Sequence, residues 1–125
     1  MSWLYFPWVL LVWLPFFGVT TVFWGLAAVA IGRLSQRAAH HIGLVWGSCL
    51  CLLNFTWVTV RGRQHAARGQ SYVIMCNHKS NCDVLAFYGF WGRQFRWVVK
   101  EELRRFPGIG WGCEAVGHIF VDRKD

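Results

Sequence analysis

His78 and Asp83 stand five residues apart in Asn77-His78-Lys79-Ser80-Asn81-Cys82-Asp83, directly after the apolar run Tyr72-Val73-Ile74-Met75-Cys76. Paired, they would make a general base, with the carboxylate fixing the tautomer through Nδ1–H and leaving Nε2 to accept a proton. The spacing works in one geometry only. On a continuous helix, residues five apart lie about 140° apart around the axis, so a helix covering both would separate them. Ser80 resolves this: it is a good N-cap, and Asp83 three residues on completes an approximate capping box. The helix then starts at Ser80, and His78 lies in the preceding turn, free to fold back on Asp83. Asn77 is expected to hold that turn through hydrogen bonds to local backbone. The result is the orienting logic of a catalytic triad without a protein nucleophile, the nucleophile being a substrate hydroxyl.

Other chemistry-bearing residues are less organised. His40, His41, His65 and His118 have no acidic partner at metal-ligand spacing, and the five cysteines fit neither a common zinc pattern nor a disulfide framework. No metal site and no cofactor are expected, and the thiols read as free in a reducing compartment. Cys76 and Cys82, which flank the histidine, read as small buried filler. Lys100 and Arg123 are cations at the carboxyl ends of expected strands, where open α/β sheets bind ligands.

The elements that must carry these residues follow from pattern. Strands are expected at Thr56–Val60, Tyr72–Cys76, Phe95–Val99 and His118–Val121. Helices are expected at Ser80–Phe90 and Lys100–Phe106, with a short helical turn over Ile109–Val116. Strands alternating with helices indicate an α/β layer with partly parallel pairing. The sequence stops just after the last apolar strand, leaving one face of such a sheet uncovered, which reads as an incomplete domain.

Before this region the chain is of a different kind. Residues 1–32 contain no charged side chain or histidine, and Trp3–Ile31 is long enough to cross a hydrocarbon core of about 30 Å. Pro7 and Pro15 predict a kink or a late start to the regular helix, and Trp3, Tyr5 and Trp8 suit a water–lipid interface. A second charge-free run, Ile42–Val60, reads as a helix to about Asn54 and then a strand, compatible with an embedded or re-entrant hairpin. The division expected is therefore membrane-anchoring helices over 1–55 and an α/β domain over 56–125. No acidic residue precedes Asp83, and the net charge is +7. With the arginines beside apolar segments and no nucleic-acid motif present, anionic lipid headgroups are the partner this charge fits, and nucleic acid is excluded.

The motif Asn-His-x-x-x-x-Asp is followed by Lys100-Glu101-Glu102-Leu103, by Phe106-Pro107-Gly108-Ile109-Gly110 and by Gly117-His118-Ile119-Phe120-Val121-Asp122-Arg123. These ordered blocks resemble the glycerolipid acyltransferases, of which the 1-acyl-sn-glycerol-3-phosphate acyltransferases are typical. The likeness covers roughly Val58 to Arg123. It implies transfer of a fatty acyl group from acyl-CoA or acyl carrier protein to the free hydroxyl of 1-acyl-glycerol-3-phosphate, at the cytoplasmic membrane, with His78 as base and Asp83 as its orienter. It also implies that Arg123, and Lys100 at the Lys-x-x-Leu position, hold the acceptor. Members of the family continue into a Glu-Gly-Thr-Arg-like block that is absent here. Lys79 and Asn81-Cys82 depart from the usual residues, which leaves acceptor choice open. Another lysophospholipid acceptor, or a non-catalytic anchored fragment, is the alternative.

Overall fold

A computed structural model describes residues 2–123. The chain opens with α1 (Ser2–Trp8), a π-helical turn (Val9–Trp13) and α2 (Leu14–Gly32), which together form one long apolar helix. The π turn lies between the two prolines, where a kink was expected. Pro15 cannot donate to the carbonyl four residues before it, and the widened turn takes up the mismatch, with Leu14 N–H reaching back five residues to Val9 O. Tyr5–Gly32 is long and apolar enough to cross a membrane. After a short turn, Ser35 caps α3 (Gln36–Leu53) by accepting the Ala38 N–H, and the helix ends at Asn54.

α3 runs back along the first helix. Ser35 lies against Ile31, Trp46 Nε1–H donates to Thr21 Oγ1 at 3.3 Å, and Tyr5 OH donates to Asn54 Oδ1 at 3.1 Å, so the two helices stay antiparallel from the turn to the far end. This hairpin is not a free-standing anchor. Two helices of the remaining chain, α4 (Asn81–Phe90) and α5 (Ile109–Val116), pack directly on it. Small residues permit the approach. On α2, Thr21, Gly25 and Ala28 form a buried stripe, and a Cβ at Gly25 would lie 2.4 Å from Gly108 O. On α3, Gly43 and Gly47 meet Tyr88 and Leu85 of α4. Two small cores result. One is Ala28, Ala39 and Val116; the other is Leu50, Cys51 and Leu85, flanked by Trp13, Phe17, Trp46 and Val58.

The β structure is smaller than the sequence suggests. β1 (Val98–Lys100) and β2 (Ile119–Val121) form a two-stranded parallel sheet, in register Val98↔Ile119 and Lys100↔Val121, joined through a 3-10 turn (Glu101–Arg105) and α5. The α/β reading therefore holds as one βαβ unit within a mainly helical structure. The strands expected at Thr56–Val60 and Tyr72–Cys76 are not formed: neither segment has a ladder partner among the described residues, and Val73 and Met75 are 94% and 91% exposed. A segment becomes a strand only when another chain segment satisfies its N–H and C=O groups. Cys76, expected as buried filler, is exposed for the same reason, while Cys82 is half-buried; all five thiols are free. The helix expected over Lys100–Phe106 is reduced to the 3-10 turn, because Pro107 holds Phe106 extended (ψ 120°) and leaves too few residues for an α-helix.

Contacts at the two ends orient the whole. Gln94 Nε2–H donates to Arg37 O at 3.1 Å, and the Arg63 guanidinium donates to Phe90 O, so the carboxyl end of α4 lies at the hairpin turn. The amino end of α4 lies at the opposite end, where Asn54 Nδ2 is 3.9 Å from Cys82 Sγ. α5 starts beside Thr21 and Gly25, runs toward the turn past Gly32, and reverses at Gly117, a left-handed residue (φ 83°) packed on Gln36. β2 therefore runs away from the turn. The carboxyl ends of both strands and the amino end of α4 face the same end of the bundle.

Candidate active site

The site begins with the start of α4. Ser80 is extended (φ −146°, ψ 150°), its Oγ accepts the Cys82 N–H at 3.2 Å, and Asp83 closes a capping box. Asp83 Oδ2 accepts two backbone N–H groups, Lys79 at 2.7 Å and Ser80 at 2.8 Å. These bonds bend the chain just before the helix. His78 is thereby folded back, with Nδ1 3.6 Å from the same Oδ2.

That distance is within ion-pair range and just beyond a formed hydrogen bond. Pairs of this kind are commonly long without substrate and tighten when it binds. The backbone bonds to Ser80 and Lys79, in that order, followed by His78, hold the Asp83 carboxyl below its ordinary pKa. It is therefore ionised at neutral pH, and at the positive end of a helix. Both partners are accessible, with side chains 56% and 42% exposed. His78 Nε2 has no hydrogen-bond partner among the described residues, so it is open to an incoming hydroxyl.

The remaining expected site residues are placed as follows. Asn77 is exposed and makes no side-chain hydrogen bond among the described residues; Asp83 holds the turn that Asn77 was expected to hold. Lys100 ends β1, opposite Val121, and Arg123 lies two residues beyond Val121, so the two exposed cations leave the same edge of the sheet. No hydrogen bond or ion pair joins either to His78 or Asp83 among the described residues. The two groups share an end of the bundle, not a contact.

Sequence reasoning missed two features. One is the second backbone bond to Asp83, from Lys79 N–H, which joins the capping-box bond from Ser80 N–H that was expected. The other is a cluster beside Lys100: Arg104 Nε–H donates to Glu101 Oε1 at 2.5 Å, its NH1 pairs with Glu114, and its guanidinium carbon stands 4.0 Å over the Phe120 ring. The i,i+3 spacing of Glu101 and Arg104 was legible; the link to Glu114 was not. Away from these groups, an apolar cleft of about 80 Å³ lies between α2, α3, α4 and α5, lined by Trp24, Ile42, Trp46, Tyr88, Cys113 and His118, with neither His78 nor Asp83 in its wall.

Residues 57–125 match the acyltransferase family model. That is more than half of the chain, and it contains every candidate site residue. The chain belongs to the acyltransferase family. It is 28% identical to a 1-acyl-sn-glycerol-3-phosphate acyltransferase of Chlamydomonas reinhardtii over 98% of this chain and 36% of that protein. It is 24% identical to the 1-acyl-sn-glycerol-3-phosphate acyltransferase of Helicobacter pylori, over 81% of this chain and 42% of that one. Against the human 1-acyl-sn-glycerol-3-phosphate acyltransferase alpha the identity is 36%, over 54% of this chain and 24% of the relative. The chain thus spans well under half the length of these family members. No solved structure matches it.

Proposed function

We propose that this chain carries the base of a membrane-bound 1-acylglycerol-3-phosphate O-acyltransferase. The observation that carries the reading is the fold-back of His78 onto an ionised Asp83 at the amino end of α4. In the proposed reaction His78 Nε2 takes the proton of the acceptor's free hydroxyl as its oxygen attacks the acyl carbonyl of a thioester, acyl-CoA or acyl carrier protein. The thioester carbon–sulfur bond then breaks, and the thiolate leaves with a proton returned by the imidazolium. Asp83 supports the cationic imidazolium through this cycle. No cofactor enters the scheme.

Lys100 and Arg123 would bind the acceptor's phosphomonoester, a role their charge and their position at the strand ends support. Membrane residence is supported by Tyr5–Gly32 and by the exposure of Phe6, Leu11, Val19 and Phe23 along it. Arg33 and Arg37 at the hairpin turn suit anionic lipid headgroups, and the cytoplasmic side is the location proposed for the catalytic part.

An acceptor panel tests the proposal. Full-length protein in detergent or vesicles, given acyl-CoA, should release CoA thiol fastest with 1-acyl-glycerol-3-phosphate. Faster release with a lysophospholipid bearing a substituted phosphate would reassign the acceptor. No release with any acceptor, from either donor, would refute acyl transfer.

A further inference from the structure

Lys100 and Arg123 leave the sheet at an edge that also carries acid. Glu101 and Glu102 follow Lys100 directly, and Glu114 faces the same turn from α5. Unpaired carboxylates there would compete with any anionic ligand, by pairing with the two cations and by repelling the anion itself. The structure removes two of them. Arg104 engages Glu101 through a two-pronged contact, Nε to Oε1 at 2.5 Å and NH2 to Oε2 at 3.3 Å, while NH1 takes Glu114. Its guanidinium lies over Phe120 in β2, three residues before Arg123. One side chain therefore ties together the turn after β1, α5 and β2, and neutralises part of the acid at the edge. Isolated exposed pairs contribute little to stability. A shared guanidinium at a ligand-binding edge acts instead on local charge.

We infer that Arg104 is a positioning residue for the acceptor: by holding Glu101 and Glu114 it leaves Lys100 and Arg123 available to a phosphomonoester. The inference rests on the reading of Lys100 and Arg123 as the phosphate-binding pair.

Steady-state kinetics on full-length enzyme test it. Arg104→Ala should raise KM for 1-acyl-glycerol-3-phosphate by about three- to tenfold and leave kcat within about twofold, the size expected for freeing carboxylates near a surface anion site. KM for a monoacylglycerol acceptor, which lacks the phosphate, should not move. Adding Glu101→Gln and Glu114→Gln to Arg104→Ala should restore the phosphate-dependent KM. In the otherwise native enzyme Glu101→Gln should lower it, a reading that does not need the arginine variant to fold. An unchanged KM in Arg104→Ala overturns the inference, as does a raised KM that the two glutamine substitutions fail to restore, the mark of a purely structural residue. Wild-type enzyme that is inactive, or whose KM is indifferent to the acceptor phosphate, would instead overturn the phosphate-site reading beneath it.

Discussion

At the scale of single residues, the site is made by competition for backbone donors. A helix start leaves its first N–H groups unpaired, and here Ser80 and Asp83 divide the task, Ser80 taking Cys82 N–H while Asp83 takes Ser80 and Lys79 N–H. Apart from the Lys79 bond, the arrangement was legible in the sequence because every partner lies within five residues of His78. It also separates two roles that mutation can tell apart. Ser80→Ala removes a cap and should cost about 1 kcal/mol of stability while largely sparing turnover. Asp83→Asn keeps the shape but loses the charge facing Nδ1, and should lower kcat by about two orders of magnitude. Comparing unfolding midpoints and kcat for the two variants checks this, and equal effects on both quantities would contradict the division.

At the scale of elements, what could be read locally was found and what depended on distant partners was not. The start of α4, the short α5 and the end of α3 near Asn54 follow from caps, prolines and periodicity. The segments at Thr56–Val60 and Tyr72–Cys76 have strand-like composition, yet their ladders need partners that composition does not name. Pairing is a property of two segments. Nor does the sequence announce that α2 and α3 pack on α4 and α5, since Gly25, Gly43 and Gly47 become contact surfaces only against partners distant in the chain. Gly25 is the sharpest test. A side chain there meets Gly108 backbone at the entrance to α5, the helix that joins β1 to β2. Gly25→Val should destabilise the folded protein by about 1–3 kcal/mol, the usual range for overpacking, as read by thermal unfolding in detergent. An unchanged midpoint would mean that α2 and α5 are not in contact.

At the scale of the molecule, the turn end holds a buried aromatic cluster that the catalytic scheme does not use. His40, Tyr88, Phe95 and His118 pack with ring centroids about 5 to 6.5 Å apart. Burial, and after it the Arg96 guanidinium, lowers His118 to a pKa of about 4. His118 is neutral in the folded protein at pH 7, whereas the unfolded chain takes up its proton near the ordinary value of 6.5. Its contribution is thus fully present above that value and is lost as pH falls from about 6.5 toward 4. The unfolding midpoint should drop across that interval, and less so in His118→Leu. A flat profile would contradict the burial of His118. None of this was visible in the sequence, where His40 and His118 are 78 positions apart.

The most direct test of the whole account is thiol release by the full-length protein, in detergent or vesicles, supplied with acyl-CoA and 1-acyl-glycerol-3-phosphate, with and without His78→Ala. Removal of the proposed base should lower kcat by about two to four orders of magnitude in a protein that still folds. A His78→Ala protein that turns over at the wild-type rate would show that the His78–Asp83 pair is not the catalytic base.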